Sequence, residues 1–209
     1  MTSKLFDRHE RGLVLTLAEV QHGAEVLRPL PIGSAGSLTQ RVKGGQHYWY
    51  RQHYDAAGRK RDAYLGPAGD AATGELLAAE RDWLEAARAL ESATRTLRRN
   101  GFQWTDARTA AMLAALANGG YFTAGLTLVG AHAYAAHCNA LGLKTVALAT
   151  QDVDVVRAVP MSLPGGSLEG LLAVLAKSGL QFVEVPGTER LRLNPTMVVR
   201  HKWKSCVKN

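Results

Sequence analysis

The sequence predicts a mixed α/β (α+β) fold, in which a small mixed sheet with flanking helices is preceded by a basic β-hairpin and a helical hairpin. Three patterns support this prediction. Aromatic and polar side chains alternate over 47–54, as in a half-buried strand. Apolar residues recur at helical spacing over 75–99. After Gly120, short β-branched runs alternate with helical stretches, which is typical of helices that cover a sheet.

The composition is that of a globular protein with a basic surface. The chain has 209 residues, of which 46% are hydrophobic and 21% are charged, and this excludes a wholly disordered or collagen-like chain. The net charge of +7 indicates an anionic partner, such as a nucleotide, a nucleic acid or an acidic protein. Cys138 and Cys206 are too few for a disulfide framework or a zinc site. Because the sequence also lacks a long apolar run, we expect a cytoplasmic protein with free thiols and no membrane partner.

Changes in composition divide the chain into four parts. Residues 1–35 are an N-terminal segment with one short helix and a linker rich in Gly, Pro and Ser. Residues 36–68 form the basic aromatic β-hairpin, and residues 70–119 form the helical hairpin. Residues 120–209 form an α/β domain.

The β-hairpin combines aromatic and basic side chains. In its first strand Tyr48, Tyr50, Gln52 and Tyr54 share one face, and His47, Trp49, Arg51 and His53 share the other. A turn at 55–58 leads to a return strand over 59–65. The hairpin region carries six basic and two acidic residues, a net charge of +4.

This pattern suits a nucleic acid as partner. Tyr48, Tyr50 or Trp49 would stack on bases, and the basic residues would contact phosphates, namely Arg51, Arg59, Lys60 and Arg61. A half-buried hairpin with a solvated basic edge accounts for the same pattern equally well.

Two amphipathic helices make up the helical hairpin. The first covers 75–99 and ends at Asn100-Gly101. Its apolar stripe repeats every seven residues, at Leu76, Trp83, Leu90 and Leu97. The second helix begins after an N-cap at Thr105 and ends at Asn118-Gly119. The heptad spacing also fits a coiled coil, so the oligomeric state stays open.

The α/β domain alternates strands and helices. Short apolar or β-branched runs predict strands at 126–129, 145–149, 152–156 and 181–185. Helices are predicted over 131–141 and from an N-cap at Ser167 to Lys177.

Two carboxylates in this domain indicate a metal site. In a strand, Asp152 and Asp154 lie on one face, while Val153 and Val155 point to the core. Carboxylates about 7 Å apart along a strand repel each other unless a cation lies between them, and Mg²⁺ prefers such oxygen ligands. A surface edge strand with two solvated acids produces the same pattern.

A glycine turn upstream indicates a phosphate site. The strand that ends at Val129 runs into Gly130-Ala131-His132 at the start of a helix. Such a turn lets backbone N–H groups and the positive helix end approach a phosphate. A glycine needed only for tight helix–strand packing is an equally good explanation. His132 and His137 lie about 140° apart around the helix, so they cannot share a metal.

In their order, these motifs resemble the DNA polymerase β-like nucleotidyltransferase superfamily, and in particular a bacterial family with the pattern Gly-x-His-Ala … Thr-Gln-Asp-x-Asp. The matching residues are Gly130-Ala131-His132-Ala133 and Thr150-Gln151-Asp152-Val153-Asp154, and the upstream YWY…YLGP segment is similar too. The resemblance implies a nucleotidyltransferase-type sheet and the Mg²⁺-dependent transfer of NMP from an NTP to an acceptor such as RNA or another polyanion. It implies that Gly130, Ala131 and His132 bind the nucleotide, and that Asp152 and Asp154 are catalytic and hold the metal.

The chain departs from the superfamily at one point. A third carboxylate is typical of a later strand, but only Glu169, Glu184 and Glu189 follow Asp154, and none lies in a suitable apolar run. We therefore expect a truncated or altered C-terminus. The alternative function is that of a catalytically degenerate protein that binds nucleic acid through the basic hairpin.

Overall fold

The computed structural model describes residues 7–146, 152–157 and 170–182. In chain order the elements are β1 (Asp7–Arg8), α1 (Arg11–Val26), β2 (Ser37–Lys43), β3 (Gln46–Tyr54), β4 (Lys60–Pro67), α2 (Ala71–Arg99), α3 (Ala107–Asn118), β5 (Leu126–Val129), α4 (Gly130–Ala140), β6 (Leu143–Lys144), β7 (Asp154–Arg157) and α5 (Leu171–Ala176). Helices and antiparallel sheets together confirm the predicted mixed α+β class. No helix in this described part has the length and apolar character needed to span a membrane.

The predicted hairpin is part of a three-stranded antiparallel sheet with the order β2-β3-β4. β2 is the added strand, and its register places Arg41 opposite Tyr48. On the other side of β3, Tyr50 lies opposite Tyr64, next to an irregularity at Trp49/Tyr50. The sequence of β2 is polar and largely exposed, so it lacks the apolar alternation that identifies a strand.

α2 packs along α1, which is therefore its main helical partner within the described chain. The helix begins at Ala71, four residues before the predicted start, because the Asp70 side chain accepts a hydrogen bond from the Thr73 backbone N–H at 3.0 Å and caps it. The core on this side consists of Leu27, Ala35, Leu84 and Ala87. Ala35 comes from the predicted linker, so this segment packs on the fold.

A second core lies between α3 and α5. Its buried residues are Met112, Ala115, Leu116, Tyr121, Val174 and Leu175. The N-cap of α3 is Asp106, one residue after the predicted Thr105, because its carboxylate accepts hydrogen bonds from the N–H groups of Arg108 and Thr109. α5 covers only 171–176, and the predicted cap Ser167 lies outside the described residues.

Two short antiparallel ribbons complete the fold. β5 pairs with β7, and β6 pairs with β1. β5 has the predicted bounds, and β7 begins two residues after the predicted start. Of the strand predicted at 145–149, Thr145 and Val146 are not in a strand and the remainder is not described. The same holds for 181–185, where only Gln181 and Phe182 are described.

Candidate functional site

The candidate site lies where β5, α4 and β7 meet. β5 ends at Val129, and α4 begins at the next residue, Gly130. β7 runs antiparallel to β5 in a register that places Asp154 opposite Val129. The first residue of β7 is thereby positioned beside the first residue of α4, so the predicted glycine turn and one of the two predicted carboxylates come together.

Gly130 and Asp154 are in close contact. The backbone of Gly130 has φ +71°, which is the left-handed region that favours glycine. A Cβ at this position would lie 2.6 Å from Asp154 Oδ2. Glycine is therefore required for two reasons: the backbone conformation, and the carboxylate that occupies the space of the missing side chain.

The N-terminus of α4 is open for an anion. Its N-cap residue, Val129, is extended and makes no side-chain capping hydrogen bond, and the first turn contains no acidic residue. The first N–H groups of a helix have no intrahelical partner and carry a positive partial charge. Gly130 is exposed and carries no side chain of its own, so a phosphate that approaches these groups comes next to the Asp154 carboxylate.

His132 lies in the same first turn of α4. Its side chain is half-buried, and its Nε2 atom is buried without a hydrogen-bond partner among the described residues. Ala131, just before it, is also half-buried. His137 is exposed in the last turn of the helix, and Cys138 beside it is buried as a free thiol.

Asp152 and Asp154 flank Val153 as the sequence pattern predicts. Val153 packs against the core between α3 and α5, and Val155 is buried. Asp152 is exposed and Asp154 half-buried, so the acidic and apolar side chains separate in alternation. Asp152 itself lies two residues before the start of β7.

The donor set suits Mg²⁺, which is usually held by one or two carboxylates together with the phosphates of a substrate. Asp152 and Asp154 supply such carboxylates, and the missing Cβ of Gly130 leaves room for one of them beside the helix N-terminus. Within the described part of the chain, no group of three or more His, Cys, Asp or Glu residues could hold a metal. The three later glutamates, Glu169, Glu184 and Glu189, lie outside it.

The predicted nucleic-acid-binding residues are divided between the two faces of the sheet. Arg51 lies on the face toward α2, where its guanidinium is 4.8 Å from the Trp83 ring centroid and 3.2 Å from the Glu80 carboxylate. Trp49 shares that face of β3, whereas Tyr48 points the other way. Lys60 pairs with Tyr54 and so lies on the Tyr48 face.

Arg59 and Arg61 are bound to a buried carboxylate. The Nε atoms of both arginines lie 3.0 Å from Oδ2 of Asp55, and Arg59 also donates to the Gly179 carbonyl at 2.6 Å. Burial acts to raise the pKa of Asp55, but the Arg59 backbone N–H and the Arg61 and Arg59 side chains outweigh burial and lower the pKa from 3.8 to about 2. Arg59 thus connects the sheet to the segment after α5.

Two further residues lie on the Tyr48 face, and the sequence alone did not predict this position for them. Tyr64 lies against both Tyr48 and Tyr50, and Arg41 lies over the Tyr50 ring. Their grouping depends on strand register and on a bulge, and neither leaves a clear signal in the amino-acid pattern.

Comparison with known proteins gives one family match, and it covers the region of β5, α4 and β7. Residues 107–195 match the model of a family described as nucleotidyltransferase, and this range includes Gly130, Asp152 and Asp154. No significant match was found among curated proteins or among solved structures. The match covers less than half of the chain. Over that region the chain is similar to nucleotidyltransferases.

Proposed function

We propose that this protein is a Mg²⁺-dependent nucleotidyltransferase that transfers NMP from an NTP to an acceptor. The observation that supports this most strongly is the contact of the Asp154 carboxylate with Gly130 at the uncapped start of α4. This contact lies within the region that matches a nucleotidyltransferase family.

The start of α4 is the proposed phosphate site. Backbone N–H groups of Gly130, Ala131 and His132 donate to the triphosphate, and the positive helix end favours its charge. The Nε2 of His132, which has no hydrogen-bond partner among the described residues, is a further polar group in this turn. The absence of a side chain at Gly130 lets the phosphate and the Asp154 carboxylate come close to the same backbone.

Asp152 and Asp154 are the residues that would hold Mg²⁺. When bound, Mg²⁺ would neutralise charge on the triphosphate and on the departing pyrophosphate. In the reaction, the acceptor oxygen forms a bond to the α-phosphorus, and the bond from that phosphorus to the bridging oxygen breaks. Pyrophosphate leaves with the bridging oxygen, and the proton of the acceptor hydroxyl passes to water.

The position of the transferred phosphate tests this proposal. The protein is incubated with Mg²⁺, a mixture of RNA and small hydroxyl compounds, and an NTP labelled at either the α- or the γ-phosphate. The α-label should become attached to an acceptor, and the γ-label should appear in pyrophosphate. Asp154→Asn should reduce labelling to background, whereas Asp82→Asn, which alters an exposed carboxylate on α2, should not change it. Transfer of the γ-label, or labelling that survives Asp154→Asn, would contradict the proposal.

A further inference from the structure

One face of the three-stranded sheet carries a cluster of aromatic rings, here called the tyrosine face, formed by the half-buried Tyr48 and Tyr50 and the exposed Tyr64. The rings of Tyr50 and Tyr64 are 5.4 Å apart in an edge-on arrangement, and those of Tyr48 and Tyr64 are 6.1 Å apart. Tyr64 is 57% exposed although its ring is apolar. Cross-strand pairing holds the three rings together, because Tyr50 is opposite Tyr64.

Three cations lie on the same face of the sheet as these rings. The Arg41 guanidinium lies 5.0 Å from the centroid of the Tyr50 ring and 2.8 Å from the Asp62 carboxylate. Lys43 and Lys60 lie on the same face by strand register, since they pair with Gln46 and Tyr54. Three cations and one carboxylate therefore share the face, and its net charge favours an anionic partner.

The fold does not use this face for its own packing against α2. Arg51, on the opposite side of β3, is the residue that contacts Glu80 and Trp83 of that helix. Gly66 of β4 likewise approaches α2 through Thr73. The opposite side of the sheet is thus the one that packs on α2, so within the described part of the chain this helix leaves the tyrosine face uncovered.

We propose that the tyrosine face binds single-stranded nucleic acid, with bases stacked on Tyr48, Tyr50 and Tyr64. Stacking on aromatic rings needs base faces that are exposed, and a duplex hides them. Phosphates would lie near Arg41, which contacts the Tyr50 ring, and near Lys43 and Lys60, which lie on the same face. This role does not depend on the proposed nucleotide transfer, because the tyrosine face and the β5–α4–β7 site share no residue.

Fluorescence anisotropy with labelled oligonucleotides tests the inference. The full chain is titrated into a uridine 12-mer, a thymidine 12-mer and a 12-base-pair duplex at several salt concentrations. Both single strands should bind more tightly than the duplex. Tighter binding of the uridine 12-mer identifies RNA as the ligand, and tighter binding of the thymidine 12-mer identifies DNA.

Variants separate stacking from simple charge attraction. Tyr64→Thr, which keeps a strand-favouring residue, should raise Kd by roughly 5- to 150-fold, the range typical of one lost base stack. Tyr64→Phe keeps the ring and should bind like the wild type. Tyr134→Ala removes a tyrosine that is equally exposed, at 54%, but lies on α4, and should have no effect on oligonucleotide binding.

The salt dependence provides a second matched pair. Arg41→Ala should reduce the slope of log K against log salt by about 0.7, as expected for one lost contact to a single-strand phosphate. Arg95→Ala also removes an exposed arginine that is paired with a carboxylate, Glu91 at 3.1 Å, and should leave the slope unchanged.

Three results would overturn the inference. These are equal binding of the duplex, wild-type affinity in Tyr64→Thr, and equally strong binding of polyglutamate, which would make the face an acidic-protein or general polyanion site. Circular dichroism and the thermal midpoint establish that each variant is folded. If Tyr64→Thr fails this control, Tyr48→Thr on the neighbouring strand carries the same expectation.

Discussion

The Oδ2 atom of Asp154 lies 2.6 Å from the point where a Cβ on Gly130 would be. The antiparallel register of β5 and β7 produces this contact, since it places Asp154 opposite Val129. A carboxylate and the open N-terminus of α4 therefore lie side by side. That arrangement combines a metal ligand with a phosphate-binding backbone, which is the basis of the proposed function.

Gly130→Ala should damage both folding and nucleotide binding. A left-handed φ costs a non-glycine residue about 1–2 kcal/mol, and the new methyl group must also displace the Asp154 carboxylate. Gly58→Ala is a matched control, because Gly58 has φ +76° but no atom of the other described residues lies within 4 Å of where its Cβ would be. Urea unfolding should show the larger loss for Gly130→Ala, which alone should lose NTP binding.

A double variant tests whether the carboxylate is the reason for the difference. Gly130→Ala/Asp154→Ala should be more stable than the sum of the two single effects predicts, because the clash is gone. Additive effects would show that the missing side chain of Gly130 does not serve to make room for the Asp154 carboxylate.

Gly119 and Val174 pack against each other, so a change at either residue should reduce stability. Val174 is 1% exposed, and a Cβ on Gly119 would lie 2.8 Å from its Cγ1 atom. Val174→Ala should cost about 2 kcal/mol from lost burial and the resulting cavity. Gly119→Ala should cost about 1–2 kcal/mol from overpacking. Backbone strain does not add to this cost, because the φ of −77° suits alanine.

The double variant tests the contact between Gly119 and Val174. Gly119→Ala/Val174→Ala should recover part of the loss in urea unfolding, because the new methyl group enters the space left by valine. A double variant with the summed loss of the single variants would contradict the described contact.

Asp55 should make stability depend on acid pH. Its folded-state pKa of about 2 lies below the ordinary value of 3.8, so its ionised form stabilises the fold above pH 3.8. This contribution is lost as the pH falls from about 4 to 2. Asp55→Asn should be less stable than the wild type at pH 7, and the gap should narrow toward pH 2. Urea midpoints across this range measure the gap, and a gap independent of pH would contradict the assigned hydrogen bonds.

The N-cap of α3 can be assigned by mutation. Asp106→Ala should cost about 1 kcal/mol, since the Asp106 carboxylate accepts hydrogen bonds from the Arg108 and Thr109 N–H groups at 2.9 and 3.2 Å. Thr105→Ala should cost less, because Thr105 Oγ1 has no hydrogen-bond partner among the described residues. Thermal unfolding of both variants shows which one loses more stability. A larger loss for Thr105→Ala would indicate that Thr105 is the cap.

Local patterns predicted much of the secondary structure. β5 could be predicted to the residue because a run of four apolar or β-branched residues ends at a glycine. The C-terminal end of α2 followed from Asn100-Gly101, but its start did not, because the Asp70 cap precedes the apolar stripe. The pairing of α1 with α2 could not be predicted either, since an amphipathic stripe shows that a face is buried and not which element covers it.

The candidate site shows the same limit. The sequence identified Gly130 and Asp154 as separate signals, and their contact depends on the register of β5 against β7. Register is a tertiary property, which is also why Arg41 and Tyr64 were not grouped with Tyr48. Alternation along β3 does predict that Tyr48 and Trp49 lie on opposite faces of the sheet. It does not predict that the Trp49 face is the one that packs on α2.

The central claim is that Gly130 and Asp154 form a nucleotide site that needs Mg²⁺. The thermal midpoint of the wild type should be measured with each NTP, with and without Mg²⁺, beside Asp154→Asn and the control Asp82→Asn. At 100 times its Kd an NTP adds about 2.7 kcal/mol of stability, which is readily seen as a raised midpoint. We predict a Mg²⁺-dependent rise in the wild type and in Asp82→Asn that is absent in Asp154→Asn. No rise with any NTP, or a rise that persists in Asp154→Asn, would contradict the claim.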